Sequence, residues 1–280
     1  MRAHLAVAAA AVLFGTTFLV VKDAVEVAPV ASFLGVRFMV GALLLVPAAR
    51  GRWEPGVVRA GVACGAALAT GYLFQTVGLQ YTSSSMSAFV TYLLVVIVPV
   101  LSAVWLRRRP DGPVVLGVVL AVAGLVALTG GLSGLGRGEV LTLGCALAFA
   151  VHILLLAGFA PRFDTAALNV VQLAVVGGAC LAIGLFTGGY GFAGRAWVAA
   201  LYTGAATTAL AFTLQVWGQR RVGPSRTSLL LMIEPVSAAV LGAATGEHLG
   251  LHGVAGAVLI LLGIVVAEVP VARRAAAARS

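Results

Sequence analysis

The run SLLLMIEPVSAAVLG, residues 228–242, sets an ionisable Glu234 beside the helix-breaking Pro235 in an otherwise apolar stretch. A carboxyl at such a position is costly unless it faces a cavity or a partner. In apolar surroundings it is a candidate for taking up and releasing a proton. Pro235 has no backbone donor and disfavours helix at Glu234, so the carbonyl near Leu231 loses its usual bond. An opened turn there would offer backbone acceptors to a solute. The alternative is a structural kink whose carboxyl hydrogen-bonds a neighbouring helix.

Two further ionisable residues stand in apolar runs. Arg37 falls about two turns into the second run, where its guanidinium fork suits an anionic group or a carboxylate. Equally it could snorkel to the outer surface or fix helix packing. His152, in CALAFAVHILLLAG, has the chemistry of a proton relay near neutral pH, or is a neutral packing histidine. Polar and aromatic groups suited to lining a cavity are Phe14, Thr17, Tyr72, Gln75, Tyr92, Gln215 and Trp217. Aromatics near run ends, Trp105 and Trp197 with Trp217, also suit interfacial anchoring.

The elements that position these residues follow from composition. The chain has 280 residues, 61% hydrophobic and only 10% charged, and its mean hydropathy is +1.08. A water-facing surface needs roughly a quarter charged residues. Apolar runs of bilayer-spanning length recur at 4–21, 30–49, 57–78, 83–105, 113–130, 139–160, 166–187, 196–217, 223–246 and 251–269. This predicts an all-α integral membrane protein with ten transmembrane helices. The first run starts after Arg2 like a signal peptide, but it is long and lacks a small-residue cleavage site, so it reads as a retained helix. Cys64, Cys145 and Cys180 all fall in spans and are odd in number, which speaks against a disulfide framework.

The net charge is +9. With ten spans and both termini cytoplasmic, fourteen of the 18 Lys and Arg fall on the inner side, including Arg107, Arg108 and Arg109. That is the positive-inside pattern. Charge here sets topology, and nucleic acid is not expected as a partner.

The second half repeats the first. GVVLAVAGLVAL (117–128) matches GAVLILLGIVVA (256–267), and Gly78/Gly218, Ser85/Ser225 and Val96/Val236 align in the preceding helices. Five helices per copy is odd, so the copies enter the membrane from opposite sides. Inverted repeats of this kind characterise secondary transporters. Glycines spaced by seven (Gly117/Gly124, Gly256/Gly263) and the stripe Ala238, Gly242, Gly246 suit close helix packing.

FGTTF (14–18), APVASFLGVRFMVGALLL (28–45), GLQYTSSSMSAFVTYLLVVIVPVLSAVWLRRRP (78–110) and the segment from GPSRTS to GIVV (223–266) follow one another in a specific order. In that order they resemble the EamA-domain branch of the drug/metabolite transporter superfamily. The resemblance implies two inverted five-helix repeats, 1–130 and 131–280, around a central cavity. It also implies export or exchange of small metabolites or drugs across the plasma (bacterial inner) membrane by alternating access. Arg107 aligns with Glu247, so symmetric acidic gates are not expected.

Other chemistries find no seat. GGLSGLGRGE (130–139) lacks the Walker Lys-Ser/Thr pair, and EHLGLH (247–252) lacks the HExxH order and a third ligand. No enzyme, cofactor or metal site is expected. The expected partners are a small-molecule substrate, the lipid bilayer and protons, with monomer and homodimer both open. Competing readings are a non-transporting membrane subunit and a membrane-embedded lipid enzyme.

Overall fold

The computed structural model describes residues 1–16, 20–21, 24, 26–78, 80–82, 84–130, 136–244 and 250–277, with backbone only for 84–85 and 270–277. Thr17, Gly246, Glu247 and His248 lie outside the described residues. Everything regular in the described chain is helical. In order come α1 (Arg2–Thr16), α2 (Val30–Ala49), α3 (Val57–Gly78), α4 (Ser84–Tyr92), α5 (Leu94–Trp105), α6 (Gly112–Thr129), α7 (Arg137–Phe159) and α8 (Thr165–Phe186). Next are α9 (Gly194–Thr203), a π-helical segment (Gly204–Ala211), α10 (Phe212–Val222), α11 (Pro224–Leu231), α12 (Ile233–Ala244) and α13 (Gly250–Ala277).

Among the described residues, nine segments are long and apolar enough to cross a bilayer, with the shorter α1 besides. α4 with α5 forms one such segment. So do α9 through α10, and α11 with α12. Two ends differ from the sequence reading. The run expected at 196–217 continues to Val222, because Arg220 and Arg221 fit a helix end that reaches past hydrocarbon into the headgroups. The last helix likewise runs on to Ala277. Large apolar side chains such as Val104, Phe186 and Leu251 point outward, where lipid tails solvate them.

Ends are fixed by ordinary capping chemistry. The Asp164 carboxylate accepts from the backbone N–H of Ala166 and Ala167, and Asp111 accepts from Val114. Both satisfy orphan donors at a helix start. Gly130 closes α6 at φ 83°, a left-handed conformation glycine adopts freely.

Inside the bundle, glycine sets the helix spacing. α6 packs along α13 through two reciprocal glycine pairs. A Cβ on Gly117 would lie 2.5 Å from the Gly263 carbonyl oxygen, and one on Gly263 would lie 2.5 Å from that of Gly117. Gly124 and Gly256 meet the same way, at 2.6 and 2.5 Å. Backbones approach this closely only without side chains between them, which suits a medium offering no hydrophobic drive for association. Other contacts also come in pairs. Gly218 abuts the Ala3 carbonyl, which a Cβ would meet at 2.6 Å, while Gly78 abuts the Gly138 carbonyl, which a Cβ would meet at 3.1 Å.

The helix ends bearing Arg107–Arg109 carry an ionic cluster. Arg226 Nη2 lies 2.5 Å from Asp111 Oδ2 and Nη1 lies 3.7 Å from Glu268 Oε1, while His4 Nε2 lies 3.3 Å from Glu268 Oε2. Arg226 also donates to the Ala267 carbonyl. Four separate helices meet in this cluster. Arg226→Gln should lower stability by about 2 kcal/mol, since it strands partly buried partners; thermal unfolding in nanodiscs would read it as a melting temperature several degrees lower.

Candidate functional site

Helix breaks bring the central polar groups together. α11 stops at Leu231 and α12 begins at Ile233. At the break, the Met232 N–H reaches Leu229 O at 3.0 Å, a tightened turn. Pro235 cannot donate to the carbonyl of Leu231. Between α4 and α5 the break falls at Leu93, whose N–H reaches Val90 O at 3.3 Å. Tyr92 ends α4 and Glu234 opens α12, and the Tyr92 hydroxyl faces the Glu234 carboxyl. Both side chains are half-buried.

α1 backs this arrangement. A Cβ on Gly15 would lie 2.7 Å from the Glu234 carbonyl oxygen and 2.6 Å from Ser237 Cβ. Gly15→Val therefore forces α1 off the break at a cost of about 1–3 kcal/mol, to be read as a lowered melting temperature of the purified protein.

Arg37 does not snorkel; it is 6% exposed. Its Nε donates to Thr208 Oγ1 at 3.1 Å and its Nη2 to Thr207 Oγ1 at 2.9 Å. Both threonines sit in the π-helical segment, whose wider turn presents consecutive side chains to one partner. A Cβ on Gly41 would lie 2.5 Å from Thr208 Cγ2, so glycine lets α2 approach that segment. Among the described ion pairs, none joins Arg37 to Glu234.

An aromatic chain lies alongside these groups. Phe14 meets Phe212 edge-on at 5.2 Å, Phe38 lies 6.1 Å from Phe212 and 4.9 Å from Tyr72, and Tyr72 meets Phe149 edge-on at 5.4 Å. The Arg37 guanidinium lies 5.6 Å from the Phe38 ring centroid. Edge-to-face pairs of this kind hold rings in fixed orientation. Gln75 Nε2 donates to Thr91 Oγ1 at 3.4 Å, and Thr91 contacts Cys145 Sγ at 3.9 Å.

The remaining expected residues scatter. His152 Nε2 lies 2.9 Å from Gln172 Oε1, away from the Glu234–Tyr92 pair. Gln215 is buried. Trp217 packs on the core in the last turns of α10, its ring centroid 4.9 Å from the Arg221 guanidinium. Thr17 lies outside the described residues. Thus Glu234, Tyr92, Tyr72, Arg37, Gln75 and Phe14 gather around the breaks, whereas His152 does not join them. Phe38, Phe149, Phe212, Thr207 and Thr208 were not singled out from the sequence. A signal existed, since Phe149 follows Phe14 by 135 residues and Phe212 follows Tyr72 by 140, near the repeat offset. Among the described residues, no three His, Cys, Asp or Glu converge as metal ligands. Surface hollows of about 350 and 420 Å³ lie elsewhere, beside Val20 and Tyr202 and between Phe74 and Leu147.

A bundle of apolar spans with a carboxyl at a broken helix and a clamped interior arginine defines a multi-pass membrane protein. The model of the EamA-like transporter family matches residues 1–130 and again 136–268. The chain belongs to that family and is a membrane transporter of the drug/metabolite type. It is 31% identical over 271 residues to an uncharacterized transporter of Archaeoglobus fulgidus, covering 96% of this chain and 86% of the relative. It is 26% identical over 286 residues to the uncharacterized transporter YvbV of Bacillus subtilis, covering 94% and 90%. A solved crystal structure superimposes with a TM-score of 0.83 at 21% identity, covering 97% of this chain and 98% of that one. At that identity the likeness establishes the fold.

Proposed function

We propose that the protein is a secondary carrier that exports small metabolites or drugs across the plasma membrane by alternating access. Ten spans form two inverted five-helix repeats, residues 1–130 and 131–280, with both termini cytoplasmic. The reading is supported by the paired contacts of the fold. Gly117/Gly263 and Gly124/Gly256 oppose each other reciprocally, Gly218–Ala3 is mirrored by Gly78–Gly138, and Phe14–Phe212 by Tyr72–Phe149. Such pairing is what a two-fold relation between halves of opposite orientation produces.

The observation that carries the reading is Glu234 at the α11–α12 break, facing Tyr92 across the two half-chains. Glu234 takes up and releases the coupling proton, and Pro235 keeps the turn open. Arg37, fixed by Thr207 and Thr208, offers its remaining N–H groups to the solute. Phe14, Tyr72, Gln75 and Tyr92, all half-buried, line the solute path, with the buried Gln215 as a further polar group. No nucleotide-binding motif exists in the chain, so an ion gradient or the solute's own gradient supplies the energy.

The test is a thermal-shift screen of the purified protein against metabolites and toxic cations, followed by flux of the hits in sealed proteoliposomes. Binding raises the melting temperature by mass action. A hit that crosses the membrane only when the protein is present supports the carrier. Hits that bind without any flux would contradict it and favour a non-transporting subunit.

A further inference from the structure

A second polar assembly lies between the Glu234 break and the face carrying Arg107–Arg109. His152 Nε2 pairs with Gln172 Oε1 at 2.9 Å, and Gln172 Nε2 donates to Asn169 Oδ1 at 2.5 Å. Next to His152 in the chain, the Ile153 carbonyl accepts from Gln219 Nε2 at 2.6 Å. Three spans contribute: α7, α8 and the α9–α10 segment. Exposures are 3% for His152, 0% for Gln172 and Asn169, and 1% for Gln219. The neighbours are apolar, with Leu156, Leu168 and Val216 packed in the same cluster.

The assembly is an open chain of hydrogen bonds whose two loose ends, Asn169 Nδ2 and Gln219 Oε1, are each buried without a hydrogen-bond partner. One is a donor and the other an acceptor. Arg220 Nη1 donates to Thr165 Oγ1 at 3.2 Å. Arg220 directly follows Gln219, and Thr165 lies one helical turn before Asn169. That bond therefore sets α10 beside α8 at the height of both loose ends. Buried orphan groups cost about 1–3 kcal/mol each, and a ligand able to satisfy a donor and an acceptor together removes both costs.

We propose that these two ends face each other across a small gap that binds one uncharged hydrogen-bonding molecule, a water in the resting protein. The water accepts from Asn169 Nδ2 and donates to Gln219 Oε1, joining the two ends. Buried waters typically hold two to four bonds to groups otherwise unsatisfied. The site is uncharged throughout when His152 is neutral, so it selects neither cations nor anions. As the bundle opens to the basic face, this layer is where the path is hydrated and where a hydroxyl or amide of a passing solute replaces the water. That last role rests on the carrier reading; the water site does not.

The experiment uses the full chain in lipid nanodiscs. A cryo-EM map that resolves ordered water should show a peak within hydrogen-bonding reach of both Asn169 Nδ2 and Gln219 Oε1. Continuous protein packing with no peak there would overturn the site. Radiolytic hydroxyl-radical labelling supplies a second readout, because a trapped water labels its immediate neighbours. His152 and Leu168 should label several-fold faster in the wild type than in Gln219→Leu. Equal rates in the two proteins would also overturn the proposal. If Gln219→Leu does not fold, Asn169→Leu takes its place in the same comparison, and the map decides alone should neither fold. Loss of flux with the peak present would count against the carrier and leave the site standing.

Discussion

Glu234→Gln protein in sealed vesicles is expected to move its solute at least about tenfold more slowly than wild type, a barrier increase of about 1.4 kcal/mol. It should also lose its dependence on pH. Glutamine keeps the size and one acceptor of the side chain facing Tyr92, so the helix break survives. What disappears is the exchangeable proton. The solute is the one that most raises the melting temperature in the binding screen, and its flux is measured across the pH range with and without an imposed proton gradient. Retention of both rate and pH profile would remove Glu234 from coupling. A variant whose thermal stability matches wild type while its flux collapses would separate mechanism from folding. That separation is expected, because the replaced group stays half-buried beside the same partner.

Gly124→Val should have the largest effect on the fold. Its Cβ alone would lie 2.6 Å from the Gly256 carbonyl oxygen and 2.8 Å from the Ile260 backbone nitrogen. Backbone atoms cannot turn aside as side chains do, so α6 and α13 must separate along their length. Overpacking in a tight interior costs about 1–3 kcal/mol, occasionally more. Here the strain adds to the loss of the reciprocal contacts at Gly117 and Gly263. The expected outcome is a melting temperature lower by roughly 5–10 °C in nanodiscs, with reduced yield of folded protein. Gly130→Ala makes a useful contrast, since among the described residues nothing lies within 4 Å of a Cβ there. Its cost comes only from the left-handed backbone, about 1 kcal/mol. Similar losses in both variants would contradict the account of glycine as the spacer between α6 and α13.

Much of this architecture is legible in the chain itself, for particular physical reasons. Spans read clearly because the bilayer sets a length that hydropathy reports, and Val30–Ala49 and Val57–Gly78 fall where the sequence places them. The interruption at Glu234-Pro235 is legible because proline removes a donor at a fixed position. Its counterpart at Leu93 is not, since nothing in TYLLVV breaks a helix by composition. The partners of Arg37 were hidden for a different reason. Thr207 and Thr208 are ordinary small polar residues 170 and 171 positions away, and only the π-helical turn aims both at one guanidinium. The aromatic chain was hidden by abundance. Phenylalanine fills apolar helices everywhere, so Phe149 and Phe212 stand out only when the two halves are overlaid, and Phe38 has no aromatic counterpart even then. His152 shows the limit of residue type as a guide. Its imidazole suits a proton relay and a neutral packing role alike, and the fold gives it one amide partner, Gln172.

Alternating exposure of the groups around the helix breaks can be measured without knowing the solute. Gln75→Cys, in a background with Cys64, Cys145 and Cys180 replaced by alanine, would be treated in sealed, oriented proteoliposomes with a membrane-impermeant thiol reagent. The reagent is applied from one side at a time. A carrier that opens by turns should be labelled at residue 75 from either side, with protection from the closed side once a bound solute locks one state. Reaction from one side alone, or from neither, would contradict the claim that the two halves enclose a path reaching each face in turn.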